Sequence, residues 1–541
     1  MDKINPFNYH YIIIVLFSLA VHGLLLLNDG VYWDGWLVYT ILIEKQWDSL
    51  YLIFTQTGGP PITLYLHWLL GYFPGIVFGY KLVAFGALTT SGILVYLISN
   101  ELKLLSRLDS LFIVLLSLSY PAFQVAIELI NIPSIVYYCL FLLACFLALQ
   151  SEKRSGVVHY LLRVCSLGIF VISFTVNSLL LFYFGFLLIW FVGVQSLLRL
   201  PPRQILFSFL PRRLDFLFLP FLYWGLHKSL FPVRGLYANY NQFRFSLPSL
   251  IANLTKFVNN AIYGQFRYTV GAIALWLLAL GILFWGYSIF KRKSGQSLRN
   301  RDKAYTLFIF GFFLLMLGML PYILVGKSPS LHGWDTRHAL LVGLPMAVII
   351  VAITHLAFPG PSDSFSKLGF LFLGVILLAF SVSTITNYIS WQARWVKDRS
   401  IIVNLGQLDN VEDISVFWVD DQFPTRGGDS YRFYEWSSIF KRVWGDETRI
   451  GLDQKTRSPE FLIDGQRYFN DRYNLLNFDP AGCQAILMIR RGLPYTDDQL
   501  FSRYLFSRFF EPSKMNEFLA EITDIQVQSI FAPEAVNCQV D

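Results

Sequence analysis

Residues 10–27, HYIIIVLFSLAVHGLLLL, run straight into residues 28–36, NDGVYWDGW, and this junction decides the reading of the chain. A helix crossing the roughly 30 Å hydrocarbon core of a bilayer needs about 20 apolar residues, and the first stretch supplies nearly that length. It lacks a basic leader and a small-residue cleavage site, so it reads as a retained span and not as a removed signal peptide. Immediately after it come two acids, Asp29 and Asp34, and three aromatics, Tyr32, Trp33 and Trp36. Tryptophan and tyrosine concentrate at membrane–water boundaries, so the pattern places carboxylates at the membrane surface.

The rest of the chain repeats the theme. Of 541 residues, 55% are hydrophobic and only 15% charged, too few charges to cover a soluble protein of this size. The net charge of +7 does not point to nucleic acid, because the basic residues gather in short loops between apolar runs. Eleven spans are predicted, at about 10–27, 75–98, 110–129, 133–149, 158–175, 178–197, 214–231, 269–290, 305–325, 338–357 and 368–389. With the N-terminus cytoplasmic, the inner loops hold sixteen Lys and Arg residues, among them Arg199, Arg203, Lys291, Arg292 and Lys293. The outer loops hold seven: Lys45, Arg234, Arg244, Lys256, Arg267, Lys327 and Arg337. That asymmetry sets the orientation.

The predicted fold is a polytopic α-helical membrane domain, residues 1–390, followed by a small extracytoplasmic α/β domain, residues 391–541. In the tail, DISVFWVDD from Asp413 and CQAILMIRR from Cys483 read as buried strands, and SKMNEFLAEI from Ser513 as a helix. Cys483 and Cys538 stand open between free thiols and a disulfide. The first outer loop, 28–74, carries an expected interfacial helix at 35–46. Its apolar stretch between Pro61 and Pro74 is too short to span and is expected to enter the interface and turn back. The expected location is a bacterial plasma membrane, given short loops and the single sequon Asn253-Leu254-Thr255.

Ionisable groups near membrane depth are costly to place and are functional candidates for that reason. Asp34, in WDGW, has two open readings: a general base towards an acceptor hydroxyl, or the N-cap of the helix that follows. Asp29 is a second acid, a metal ligand or a solvated turn. Glu128, in AIELINIP, orients an acceptor or faces headgroups, and His67 lies in the short apolar segment. In HGWDTRHALLVGLP, from His332, the planar fork of Arg337 suits phosphate oxygens, with His332 and His338 as further donors. Neither HxxxH nor CxxC spacing supports a metal site, so no metal ligand is assigned. A divalent cofactor stays open. No Walker loop, GxGxxG or GxSxG motif supports nucleotide-driven or serine-hydrolase chemistry.

The order NDGVYWDGW, GGPPITLYLHWLLGYFP, then HGWDTRHALLVGLP before an outward tail resembles the GT-C superfamily of polyprenyl-phosphate-sugar-dependent glycosyltransferases. The likeness is nearest to protein mannosyltransferases and aminoarabinose transferases, and it covers about residues 1–360 in layout. That family often pairs two acids where this chain has Asp34-Gly35, and places a basic residue where Gly58 and Gly59 stand before the prolines. The resemblance implies an inverting transfer from a polyprenyl-phosphate-linked sugar to a lipid, glycan or protein acceptor. Asp34 or Asp29 would take the proton and Arg337 would stabilise the departing lipid phosphate, with Trp33, Trp36, His67, Glu128, His332 and His338 lining the substrates. Membrane lipids are the expected surroundings. The rival readings are a lipid-linked glycan polymerase or ligase, a transporter or flippase, and a non-catalytic scaffold.

Overall fold

The computed structural model describes the chain from Tyr9 to Ile530, apart from residues 57–60, 103–104, 199–210, 235–241, 244, 270–297, 360–365, 409–410, 412, 427–430, 446, 458 and 468–476. Its helices follow the apolar runs in order: α1 (Tyr9–Leu27), α2 (Gly35–Ile43), α3 (Trp47–Gln56), α4 (Pro61–Gly71), α5 (Ile76–Leu102), α6 (Arg107–Ser119) and α7 (Ile132–Ser151). After these come α8 (Gly156–Ser173), α9 (Ser178–Leu198), α10 (Leu214–Leu230), α11 (Leu247–Val258), α12 (Leu298–Leu324), α13 (Gly343–Ala357) and α14 (Lys367–Leu405). The tail then alternates β1 (Ile414–Asp421), α15 (Phe433–Trp444), β2 (Ile450–Asp453), α16 (Pro459–Gln466), β3 (Cys483–Arg491), α17 (Asp497–Phe510), α18 (Met515–Ala520) and β4 (Thr523–Ile530).

Among the described residues six helices are long and apolar enough to cross a membrane, not the eleven expected: α1, α5, Leu129–Ser151, α8, Asp302–Leu324 and α14. The physical reasons for the difference are local. The run expected to span 110–129 leaves the helix at Tyr120, whose backbone is extended, because the next residue is Pro121 and a residue before proline is pushed out of the α region. Two 3₁₀ turns, Val125–Ile127 and Leu129–Asn131, follow. The run at 338–357 begins as a 3₁₀ turn, Trp334–Ala339, leaving 15 residues for α13. Helix α10 has 17 residues and carries Pro220 inside it. The span expected at 269–290 lies outside the described residues, as does most of the Gly-Gly-Pro-Pro segment. Helix α14 overshoots in the other direction. Its 39 residues reach about 58 Å at 1.5 Å per residue, far beyond one hydrocarbon core.

The chain folds as two compact units that do not follow chain order. The first comprises Met1–Gly23, Leu82–Ala126 and Asn131–Ile385; the second comprises Leu24–Lys81, Ile127–Ile130 and Thr386–Asp541. The loop after α1 therefore folds with the tail. In the first unit the core is an aromatic cluster in which Phe170 packs against Phe141, Phe174, Tyr183, Phe186 and Phe216. The polar start of α6 is closed by Ser106 and Asp109. Ser106 Oγ accepts from the Asp109 N–H at 3.1 Å and the Asp109 carboxylate accepts from the Ser106 N–H at 3.3 Å, a reciprocal cap.

In the second unit the tail forms a four-stranded sheet in the order β2-β1-β3-β4. Strand β1 runs parallel to both β2 and β3, and β4 runs antiparallel to β3. Parallel neighbours need a crossover, and α15 provides it between β1 and β2. The two strands read from the sequence are β1 and β3. The expected helix from Ser513 shrinks to the six residues of α18. Packing of α15 on β2 is close enough that a Cβ on Gly451 would stand 2.3 Å from Cβ of Trp436. Gly451→Ala is therefore expected to destabilise the protein by about 1–3 kcal/mol, the usual cost of overpacking, read as a lowered melting temperature of the solubilised chain. Cys483 is disulfide-bonded, whereas Cys139, Cys145 and Cys165 are free; Cys538 lies outside the described residues.

Candidate functional site

The site is built on the end of α14, where the sequence SWQARWVKDRS (390–400) interleaves tryptophans with charges. Trp391, Arg394, Trp395 and Asp398 recur at three- and four-residue steps and so share one helix face. The first loop folds against that face. The Tyr32 hydroxyl donates to the carbonyl of Trp391 at 2.7 Å. Trp33 meets Trp391 edge-on at 4.4 Å between ring centroids, and Trp36 lies 5.7 Å from Trp395. Both loop tryptophans are buried, so they pack this unit's interior and are not presented at its surface as depth anchors. Helix α2 likewise buries residues on more than one side, Trp36 and Leu37 together with Val38 and Ile41, unlike a helix lying in headgroups.

Helix α15 adds two adjacent side chains to the same place. Glu435 Oε1 accepts from Arg394 Nη2 at 2.7 Å and from the Trp33 N–H at 3.0 Å, and its Oε2 accepts from the Arg432 N–H at 2.9 Å. Both members of the ion pair are buried, Arg394 to 1% and Glu435 to 0% side-chain exposure. Burial pushes the Glu435 carboxyl above the ordinary range, while Arg394 and the two backbone donors pull it back. Trp33 adopts φ +45°, a left-handed conformation that bulky residues avoid and that persists only where surroundings hold it. The Glu435 bond to its N–H is such a hold.

The residue after that strained link is Asp34. It occupies the N-cap position of α2, yet its side chain makes no capping bond; instead its Oδ1 accepts from the Tyr434 hydroxyl. Burial, the charge of Asp34 and the charge of Glu435 all raise the Tyr434 phenol, so it stays protonated and donates. Of the two readings open in the sequence, the geometry takes the carboxylate out of the cap. Beside it, Gly35 leaves the space into which Glu128 reaches: a Cβ there would stand 2.6 Å from Glu128 Oε1. Glu128 and Lys81 are both fully buried. Lys81 donates to the carbonyl of Ile127, lies 5.4 Å from the Tyr32 ring and feels the charges of Glu128 and Asp29. Gly35→Ala is expected to displace the fully buried Glu128 carboxylate and to lower the melting temperature of the solubilised chain by the usual cost of overpacking, about 1–3 kcal/mol.

Asp29 is differently placed. Its carboxylate accepts from Tyr504 at 2.5 Å and Gln392 at 3.1 Å, with Arg508 at 3.5 Å and Arg399 at 4.0 Å. Burial, the Asp29 charge and their hydrogen bond push the Tyr504 phenol up to about 12 despite Arg399. Encircled by two cations and two donors, Asp29 ties the first loop to the tail. His67 is buried, bonded through Nδ1 to the Tyr80 hydroxyl at 2.6 Å and stacked on Phe54. Further along α14, Lys397 donates to both Asp421 oxygens, at 2.8 and 2.6 Å, and Tyr431 donates to Asp398.

The residues from the HGWDTRHALLVGLP stretch belong to the first unit. Arg337 lies over the Trp334 ring at 4.3 Å, approaches Asp335 at 3.5 Å and donates to His338 Nε2 at 3.3 Å. Burial, with Arg337 and Lys327 nearby, lowers His338 to about 3, so it is neutral and can accept that bond. Burial and then Arg337 lower Lys327 to about 8, against the pull of Asp335. His332 pairs with Gln124 at 3.3 Å and meets Tyr268 edge-on. Arg337, His338 and Lys327 thus make a cationic locus with a neutral imidazole.

Tyr434, Glu435, Arg394, Lys81 and Lys327 were not singled out from the sequence. Two of them carried a readable signal: Lys81 is a lone charge inside an apolar run, and Arg394 sits among tryptophans just past a span. Tyr434 and Glu435 carried none, since their role comes from residues about 400 positions away. Among the described residues no group of three or more His, Cys, Asp or Glu side chains is placed to hold a metal. No protein-family model matches this sequence, and no significant match exists to a curated protein or a solved structure.

Proposed function

We propose that this protein is an integral-membrane inverting glycosyltransferase that uses a polyprenyl-phosphate-linked sugar and acts on the extracytoplasmic side of a bacterial plasma membrane. The observation that carries the proposal is the Asp34 carboxylate, half-buried, turned away from its helix cap, hydrogen-bonded by Tyr434 and flanked through Gly35 by Glu128. A carboxylate oriented by a phenol hydroxyl is placed to accept a proton from an incoming hydroxyl. In the reaction the acceptor O–H loses its proton to Asp34, the acceptor oxygen bonds to the anomeric carbon, and the bond from that carbon to the phosphate oxygen breaks. Charge then develops on the leaving phosphate, where a fixed cation in a low-dielectric setting is most effective. Arg337 and Lys327 have the chemistry for that group. The bonded state of Cys483 agrees with an oxidising, extracytoplasmic compartment for the tail.

The test is release of free polyprenyl phosphate by the purified protein in proteoliposomes, across a panel of labelled polyprenyl-phosphate sugars and polyprenyl-phosphate-derived acceptors. Wild-type turnover of at least one donor is expected; no turnover of any donor overturns the proposal. The phosphate assignment has its own check. Lys327 loses its charge as pH rises through about 8, so binding of polyprenyl phosphate should weaken above that pH. Lys327→Arg, which stays charged, should abolish the decline, whereas an unchanged profile removes Lys327 from the phosphate site.

A further inference from the structure

Helix α17 opens with a reciprocal cap, Thr496 Oγ1 accepting from the Gln499 N–H at 3.3 Å and Gln499 Oε1 accepting from the Thr496 N–H at 2.9 Å. Its inner side buries Leu500, Tyr504 and Ser507, at the four- and three-residue steps of one helix face. The other side is unusual. Phe506, Phe509 and Phe510 are 52%, 55% and 74% exposed, at three- and four-residue steps, and the rings of Phe506 and Phe510 pack together at 5.3 Å. Three neighbouring phenylalanines facing outward form an apolar patch that marks an interaction surface.

What covers the patch is indicated by the residue between them. Arg508 Nη1 donates to the carbonyl of Leu27 at 2.8 Å and lies 3.5 Å from Asp29 Oδ1. Leu27 is the last residue of α1, one of the helices long and apolar enough to cross a membrane. The phenylalanine end of α17 is therefore tied to the last residue of a helix long and apolar enough to cross a membrane. Arg508 is engaged by Asp29 and the helix ends at Glu511, which leaves the exposed Arg503 as the cation of α17 suited to anionic headgroups. We propose that Phe506, Phe509 and Phe510 enter the interfacial layer of the membrane and hold the tail of the protein against the lipid surface. Aromatic rings are favoured at that depth.

The full chain carrying p-benzoylphenylalanine at position 510, in nanodiscs of phosphatidylethanolamine and phosphatidylglycerol, tests this. Irradiation should yield a phospholipid adduct at 510, and none when the probe replaces Asp498 at the far end of the same helix. A protein adduct at 510, within the chain or to a second copy, overturns the proposal, as does the absence of a lipid adduct. The amides of 506–510 supply an independent reading. They should exchange about tenfold slower in nanodiscs than in a lipid-free amphipathic polymer, a difference lost in the triple variant Phe506→Ser, Phe509→Ser, Phe510→Ser; equal exchange in both settings also counts against it.

Discussion

Asp34→Asn is expected to lower donor turnover by about 10²–10⁴-fold, the usual range for loss of a positioned general base, with little change in melting temperature. The amide is nearly isosteric and its oxygen can still accept from Tyr434, so the hydrogen bond to α15 survives while the proton acceptor is lost. Binding of the lipid-linked donor should be unaffected. Tyr434→Phe separates the two roles: it removes the donor and keeps the carboxylate, so a smaller loss is expected, with a change in the pH profile of turnover. Unaltered turnover in Asp34→Asn would eliminate this residue as the base. Asp29→Asn is the contrasting case. Asp29 contacts two arginines, so its loss should appear in stability first.

The second large effect concerns Arg394. Removing one member of a buried ion pair leaves its partner charged and desolvated, which typically costs about 3–5 kcal/mol. Arg394→Ala should therefore lower the melting temperature sharply, and Glu435→Ala should do the same while also releasing the Trp33 N–H. Replacing both at once, Arg394→Met with Glu435→Leu, should recover much of the stability, because paired apolar residues pack where paired charges did. It should not recover turnover, since the hold on Trp33 and its strained backbone would be gone. Stability restored together with full turnover would show that Glu435 does not position Asp34. The pH dependence carries a sign. The folded carboxyl of Glu435 lies above its ordinary value, so across that interval the folded state binds more protons than the unfolded one. Its contribution to stability accordingly falls as pH rises through the interval, opposite to that of an ordinary salt-bridged carboxylate, and the trend should vanish in the double variant.

Much of the architecture was legible. The apolar runs, the charged tail, and β1 and β3 all follow from periodicity and composition, because hydrophobic burial imposes those patterns locally. What was not legible was where runs break or extend. Tyr120 before Pro121 ended one helix early, and the continuation of α14 past residue 389 carried Arg394 out of an apolar context. Six helices among the described residues are long and apolar enough to cross a membrane, and the expected span at 269–290 lies outside those residues.

By itself the sequence determined that this chain builds membrane-length helices, that acids follow the first of them, and that a strand-containing tail ends it, since each is a property of neighbouring residues. Only the tertiary structure decided that Asp34 turns from its cap to Tyr434, that Glu128 occupies the space Gly35 leaves, and that the first loop folds with the tail. Those contacts join segments tens to hundreds of positions apart, and directional hydrogen bonds between them leave no periodic trace in the chain.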